Sequence, residues 1–96
     1  MAVIQRLGLV FTGAVQGVGF RYRAVHAARL CGCTGFCRNL WDGSVEMEIQ
    51  GSPEQIDRVL QAVEAGRYIH IEHISRRQLP LLEGERDFRT DGSHSF

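Results

Sequence analysis

At 96 residues the chain has room for about one hydrophobic core, and 44% hydrophobic against 23% charged side chains excludes a disordered polypeptide. Eleven basic and eleven acidic residues cancel, which excludes binding to nucleic acid or an anionic membrane on net charge alone. All eleven basic residues are Arg, which excludes a lysine-dependent phosphate loop, a Schiff-base nucleophile and a pyridoxal-linked site.

Residues 7–12 alternate, with Leu7, Leu9 and Phe11 on one face, and predict a strand. Arg6 before this run imitates the start of an export signal. The break at Thr12 and Gly13, with no small-x-small cleavage site after it, favours the strand. Residues 13–19 make a Gly-rich loop. A helix is expected over residues 21–31, because Ala24, Ala27, Ala28 and Cys31 share one face, and Gly32 supplies its stop. That face is small, so the helix can lie close to a sheet.

Residues 36–40 predict a short strand, and Asp42-Gly43 is a turn signal. Residues 44–50 then alternate. Val45, Met47 and Ile49 form one face, and Ser44, Glu46, Glu48 and Gln50 form the wet one. A second helix is bounded clearly. Ser52 is its N-cap, Pro53 its first residue, and Gln55 completes a capping box. Ile56, Val59, Leu60 and Val63 form its apolar stripe, and Gly66 closes it. Residues 69–77 read as a strand, a run near Phe88 as an edge strand, and residues 91–96 as a tail. The order β-α-β-β-α-β predicts an α+β ferredoxin-like sandwich. Its sheet is expected to be four- to five-stranded and antiparallel, with two helices on one face, in one domain over residues 1–90.

Cys31, Cys33 and Cys37 are odd in number, so they cannot close an intrachain disulfide framework. Their spacing matches no recognisable zinc pattern, and they read as small apolar packing residues in a reducing compartment. No apolar run approaches the ~18 residues of a membrane span. A cytoplasmic protein is expected, with no membrane or nucleic-acid partner. His70 and His73 stand three apart on a strand and point to opposite faces, which prevents joint chelation. His26 is expected to be partly buried. Glu46 and Glu48 read as a solvated strand face. Trp41 at the hairpin tip either caps a substrate or shields the turn.

The stretch with chemical content is Val15, Gln16, Gly17, Val18, Gly19 and Phe20, followed by Arg21. It joins a strand to a helix. Its glycines allow positive φ, its successive N–H groups can form an anion nest, and the helix N-terminus adds unpaired donors. A cation in the first turn opposes the helix dipole. Arg21 is therefore misplaced for stability and well placed for a phosphate, which its planar fork can bind twice.

The segment Gly13-x-Val15-Gln16-Gly17-Val18-x-Phe20-Arg21 resembles the first signature of the acylphosphatases. A second stretch, Gly35-Phe36-Cys37-Arg38-Asn39-x3-Gly43-x-Val45-x5-Gly51, resembles the second signature. The resemblance implies hydrolysis of a small-molecule acyl phosphate to a carboxylate and inorganic phosphate. It implies Arg21 as the phosphate-binding residue and Asn39 as the residue that positions water, with no metal, no cofactor and no covalent intermediate. Phe11, Cys31, Cys33 and Trp41 depart from the commonest family pattern. Two other readings stay open: a regulatory domain that binds a phosphorylated metabolite without turnover, and an RNA-binding module of the same strand order. The second lacks an aromatic on the wet face of residues 44–50.

Overall fold

The computed structural model describes residues 3–90, which form β1 (Gln5–Ala14), α1 (Phe20–Cys31), β2 (Thr34–Asn39), β3 (Val45–Gly51), α2 (Pro53–Glu64), β4 (His70–Leu79) and β5 (Phe88–Thr90). The expected tail over residues 91–96 lies outside the described residues. One five-stranded sheet has the order β4-β1-β3-β2-β5. No helix among the described residues is long and apolar enough to cross a membrane.

The alternation on β1 and β3 is used as the sequence predicts. Leu7 pairs with Ile49, Leu9 with Met47 and Phe11 with Val45, and all six are buried under the helices. β1 is longer than its apolar pattern, because pairing continues from Gln5 opposite Gly51 to Ala14 opposite His70. Helix α1 buries Ala24, Ala27 and Ala28, whose short side chains let it settle close to the sheet. Helix α2 opens with the expected capping box at Ser52 and Gln55 and buries Ile56, Val59 and Val63.

The ferredoxin-like order stands, and the fifth strand makes the sheet mixed: β5 pairs in parallel with β2, Gly35 opposite Phe88 and Cys37 opposite Thr90. The reason is where the preceding connection crosses. β4 ends with Leu79 beside Arg6, at the end of the sheet where β2 begins. Leu82 exchanges two hydrogen bonds with the Gln50 side chain, at 2.9 and 3.1 Å, so the chain crosses the outer face at that end. β5 therefore starts where β2 starts and runs with it.

Arg6 pins this crossing. It is only 3% exposed, and its guanidinium donates to Glu48, Gln50 and Glu85 at 3.1, 3.2 and 2.8 Å. The face expected to be solvated is thus partly covered. Glu48 pairs with Arg6 and Glu46 with Arg38, the latter at 2.7 Å. Burial disfavours the Arg6 charge, but the bonds to Glu85 and Glu48 outweigh it and raise its pKa. Burial likewise opposes the Glu85 carboxylate, and hydrogen bonds from Arg6 and Thr34 together with the Arg6 and Arg89 charges more than compensate and hold it below its ordinary value.

Removing one partner of a buried pair strands the other. Arg6→Ala should cost about 3 kcal/mol or more in urea unfolding at pH 7. The folded Glu85 pKa is depressed, so its contribution is fully present above the unfolded value of about 4.3 and is lost as pH falls through the folded value. The stability gap between wild type and Arg6→Ala should therefore narrow as pH drops below about 4.3. A gap that stays constant from neutral to strongly acid pH would show that Glu85 is not held by Arg6.

Candidate active site

The two helices begin in opposite ways. Ser52 caps α2, whereas α1 starts from Gly19 with no side-chain cap and no acidic residue in its first turn. The first bond of α1 is Arg23 N–H to the Gly19 carbonyl at 3.0 Å. Among the described residues, no acceptor takes the N–H groups of residues 16–21. Gly17 and Gly19 have φ of +73° and +87°, and a Cβ on either would meet nothing within 4 Å. Backbone conformation, rather than space, requires glycine at both positions. The result is a loop of free donors at a helix N-terminus, with a cation, Arg21, in the first turn.

The expected loop residues divide by role. Val15 is 1% exposed, and its N–H is engaged by the Gly13 carbonyl at 3.1 Å. It anchors the loop by packing. Phe20 is also buried, its ring edge-on to Phe11 at 4.8 Å between centroids. Gly17 and Gly19 are exposed and Val18 is half-buried. The Gln16 side chain is directed to the neighbouring hairpin: its Nε2 donates to the Leu40 carbonyl at 2.7 Å and to the Ser44 carbonyl at 2.8 Å.

Asn39 is the last residue of β2 and lies opposite Val45. Cys37, two residues earlier, is fully buried opposite Met47. Strand alternation puts Asn39 on the same helix-facing side. Phe11 lies opposite Val45 in the same row, so the loop that follows β1 leaves the sheet at the end that carries Asn39. The fold thus brings Arg21, the free N–H groups and Asn39 to one end of the sheet, on the side of α1.

The turn after Asn39 is closed by Leu40 N–H to the Ser44 carbonyl at 2.8 Å and Gly43 N–H to the Leu40 carbonyl at 3.2 Å. Asp42 Oδ1 accepts from the Ser44 hydroxyl at 2.6 Å and the Ser44 N–H at 3.0 Å, which lowers the Asp42 pKa. Trp41 is 98% exposed and shields nothing in this turn. His26, expected to be partly buried, is exposed and stacks on Tyr22 at 6.2 Å. It stands on the outer side of α1, beside the exposed Tyr22. His70 and His73 are exposed, and no three His, Cys, Asp or Glu side chains among the described residues are grouped to hold a metal ion.

The geometry fits known proteins closely. The sequence profile of the family described as Acylphosphatase matches residues 7–90. An acylphosphatase of Bifidobacterium longum is 40% identical over 83 residues, covering 85% of this chain and 86% of that protein. One from Caldanaerobacter subterraneus is 38% identical, covering 84% of this chain and 91% of that one. The crystal structure of acylphosphatase from Bacillus subtilis superposes with a TM-score of 0.81 at 29% identity, over 92% of this chain and 98% of that one.

The buried thiols are poor nucleophiles. Burial pushes Cys37 up to about 12 and Cys33 up to about 11. Cys31 is half-buried. Iodoacetamide at pH 7.5 should therefore label Cys31 alone in the folded protein, and all three cysteines after denaturation. Intact-mass spectrometry reads the result. Fast labelling of folded Cys37 would contradict this view of the site.

Proposed function

This chain belongs to the acylphosphatase family, enzymes that hydrolyse acyl phosphates, and from that premise we propose how its residues carry out the reaction. The observation that supports the reading is the run of free N–H groups at the start of α1, with Arg21 in its first turn.

An acyl phosphate is already activated, because its leaving group is a weakly basic carboxylate. Catalysis then needs positioning and charge stabilisation more than bond-making by the protein. The N–H groups of residues 16–20 and the Arg21 fork hold the phosphoryl oxygens. Asn39 both donates and accepts, so it can aim a water at phosphorus in line with the departing carboxylate. Water oxygen bonds to phosphorus as the phosphorus–oxygen bond to the acyl group breaks. The carboxylate leaves with the electron pair, and the water proton passes to a phosphoryl oxygen. Arg21, Asn39 and the loop backbone suffice for this route without a metal, a cofactor or a phosphoenzyme. Asn39 is neutral near pH 7 and acts by orientation, not as a base.

The test is phosphate release from acetyl phosphate with saturating chelator present. Turnover should persist, and inorganic phosphate should inhibit competitively. Arg21→Ala should remove detectable turnover and weaken phosphate inhibition, and Arg21→Lys should not restore it fully, because an ammonium lacks the two-pronged fork. Asn39→Ala should lower kcat by about two orders of magnitude while changing the phosphate inhibition constant less than about tenfold. Wild-type protein that binds phosphate but never releases it from an acyl phosphate would be a binding domain. Near-normal activity in Arg21→Ala would refute the assignment of the cation.

A further inference from the structure

We propose that Gln16 is a positioning residue for this reaction, acting through Asn39. Its side chain is the strut that fixes the phosphate-holding loop against the turn that sets Asn39. The proposal rests on the reading of Asn39 given above and extends it to a residue that need not touch substrate.

A carboxamide nitrogen has two protons to give. Gln16 gives one to the Leu40 carbonyl at 2.7 Å and the other to the Ser44 carbonyl at 2.8 Å. Neither is left for a phosphoryl oxygen. The two acceptors are the carbonyls that already close the turn after Asn39, through Leu40 N–H to Ser44 and Gly43 N–H to Leu40. Leu40 is bonded directly to Asn39 in the chain. Among the described residues, no other side-chain hydrogen bond joins residues 15–19 to residues 39–44. The phosphate would be held on one side of this link and the water on the other. In-line attack tolerates little error, since a misplacement of about 1 Å can cost about a hundredfold in rate. Gln16 is the direct connection that sets that separation.

The chemistry of the strut is specific. Leu at 16 keeps a branched side chain, one bond shorter, and loses both donors. Glu at 16 would turn a carboxylate, which cannot donate, toward two carbonyl oxygens. In Gln16→Leu each carbonyl keeps its backbone donor, so the turn persists while its link to the loop is gone.

The experiment measures kcat, KM and the phosphate inhibition constant for acetyl phosphate in wild type, Gln16→Leu, Asn39→Ala and the double variant. Gln16→Leu should lose about tenfold or more in kcat, with the phosphate inhibition constant within about threefold of wild type. In the Asn39→Ala background the same change should cost less than about twofold, because there is no longer an amide to position. Glu at 16 should fail as Leu does.

Wild-type kcat in Gln16→Leu would overturn the proposal. So would a collapse of phosphate binding with kcat kept, which would make Gln16 a direct ligand. Full multiplication of the two losses in the double variant would overturn it as well. Normal activity of Asn39→Ala would instead remove the reading of Asn39 on which the proposal stands. A measurement on the unaltered protein guards against a variant that does not fold. By NMR, the Gln16 side-chain protons should exchange with water about tenfold more slowly than those of exposed Gln61 and Gln78. Equal rates would mean that the strut is not formed in solution.

Discussion

The edge-on contact of Phe11 with Phe20 is the joint from which the site hangs. The rings are 4.8 Å apart between centroids and 62° inclined, and both side chains are buried. Such a pair adds about 0.5–1.5 kcal/mol beyond its buried area. Its positional effect is larger than its energy. Phe11 lies in the last row that β1 shares with β3, opposite Val45, which in turn lies opposite Asn39. Phe20 is the first residue of α1. The contact therefore sets the start of the helix over the row that ends in Asn39. The intervening residues 15–19 must span a fixed and short gap, which is why they take bent, glycine-dependent conformations.

Local order was legible where the chemistry is local. The capping box at Ser52 and Gln55, the alternation of β3 and the small face of α1 each lie within one element and are used as read. The loop of residues 15–20 could be recognised because glycine spacing and Arg21 are themselves sequence features. What sequence could not carry was pairing at a distance. Arg6 reads as a basic residue ahead of an apolar run, yet it is buried by Glu85, which lies far along the chain. Gln16 reads as one loop residue among several, and only the hairpin at Leu40 and Ser44 reveals where its donors go. The parallel direction of β5 likewise depends on where residues 80–87 cross, and no periodicity encodes that. His26 is exposed for a related reason. A helical residue between apolar positions can still face outward, and here its neighbour is Tyr22 on the same exposed side.

The departures from the usual family pattern have physical readings in this chain. Phe11 is matched by Phe20, so a large residue in β1 is accommodated by the start of α1. Cys33 and Cys37 are buried and act as small apolar side chains. Trp41 is different, because it is almost wholly exposed on a turn held by Asp42 and Ser44. A bulky ring there gains nothing from the core, and the turn does not depend on it.

The start of α1 concentrates unfavourable terms that the rest of the fold must carry. A glycine N-cap in place of a polar one costs a helix about a few tenths of a kcal/mol, and a cation in the first turn adds about as much again. The donors of residues 16–21 find no protein acceptor among the described residues. By contrast α2 has a cap, a proline and Glu54 in its first turn, all of them favourable. One helix is finished for stability and the other is left open, although both pack on the same sheet. An anion at the open end would satisfy the donors, neutralise Arg21 and complete the cap together. Under the proposed function, the same features that weaken α1 in isolation become its binding energy for a phosphoryl group. The burial of Phe11, Phe20 and the alanine face of α1 holds that unfinished end in place.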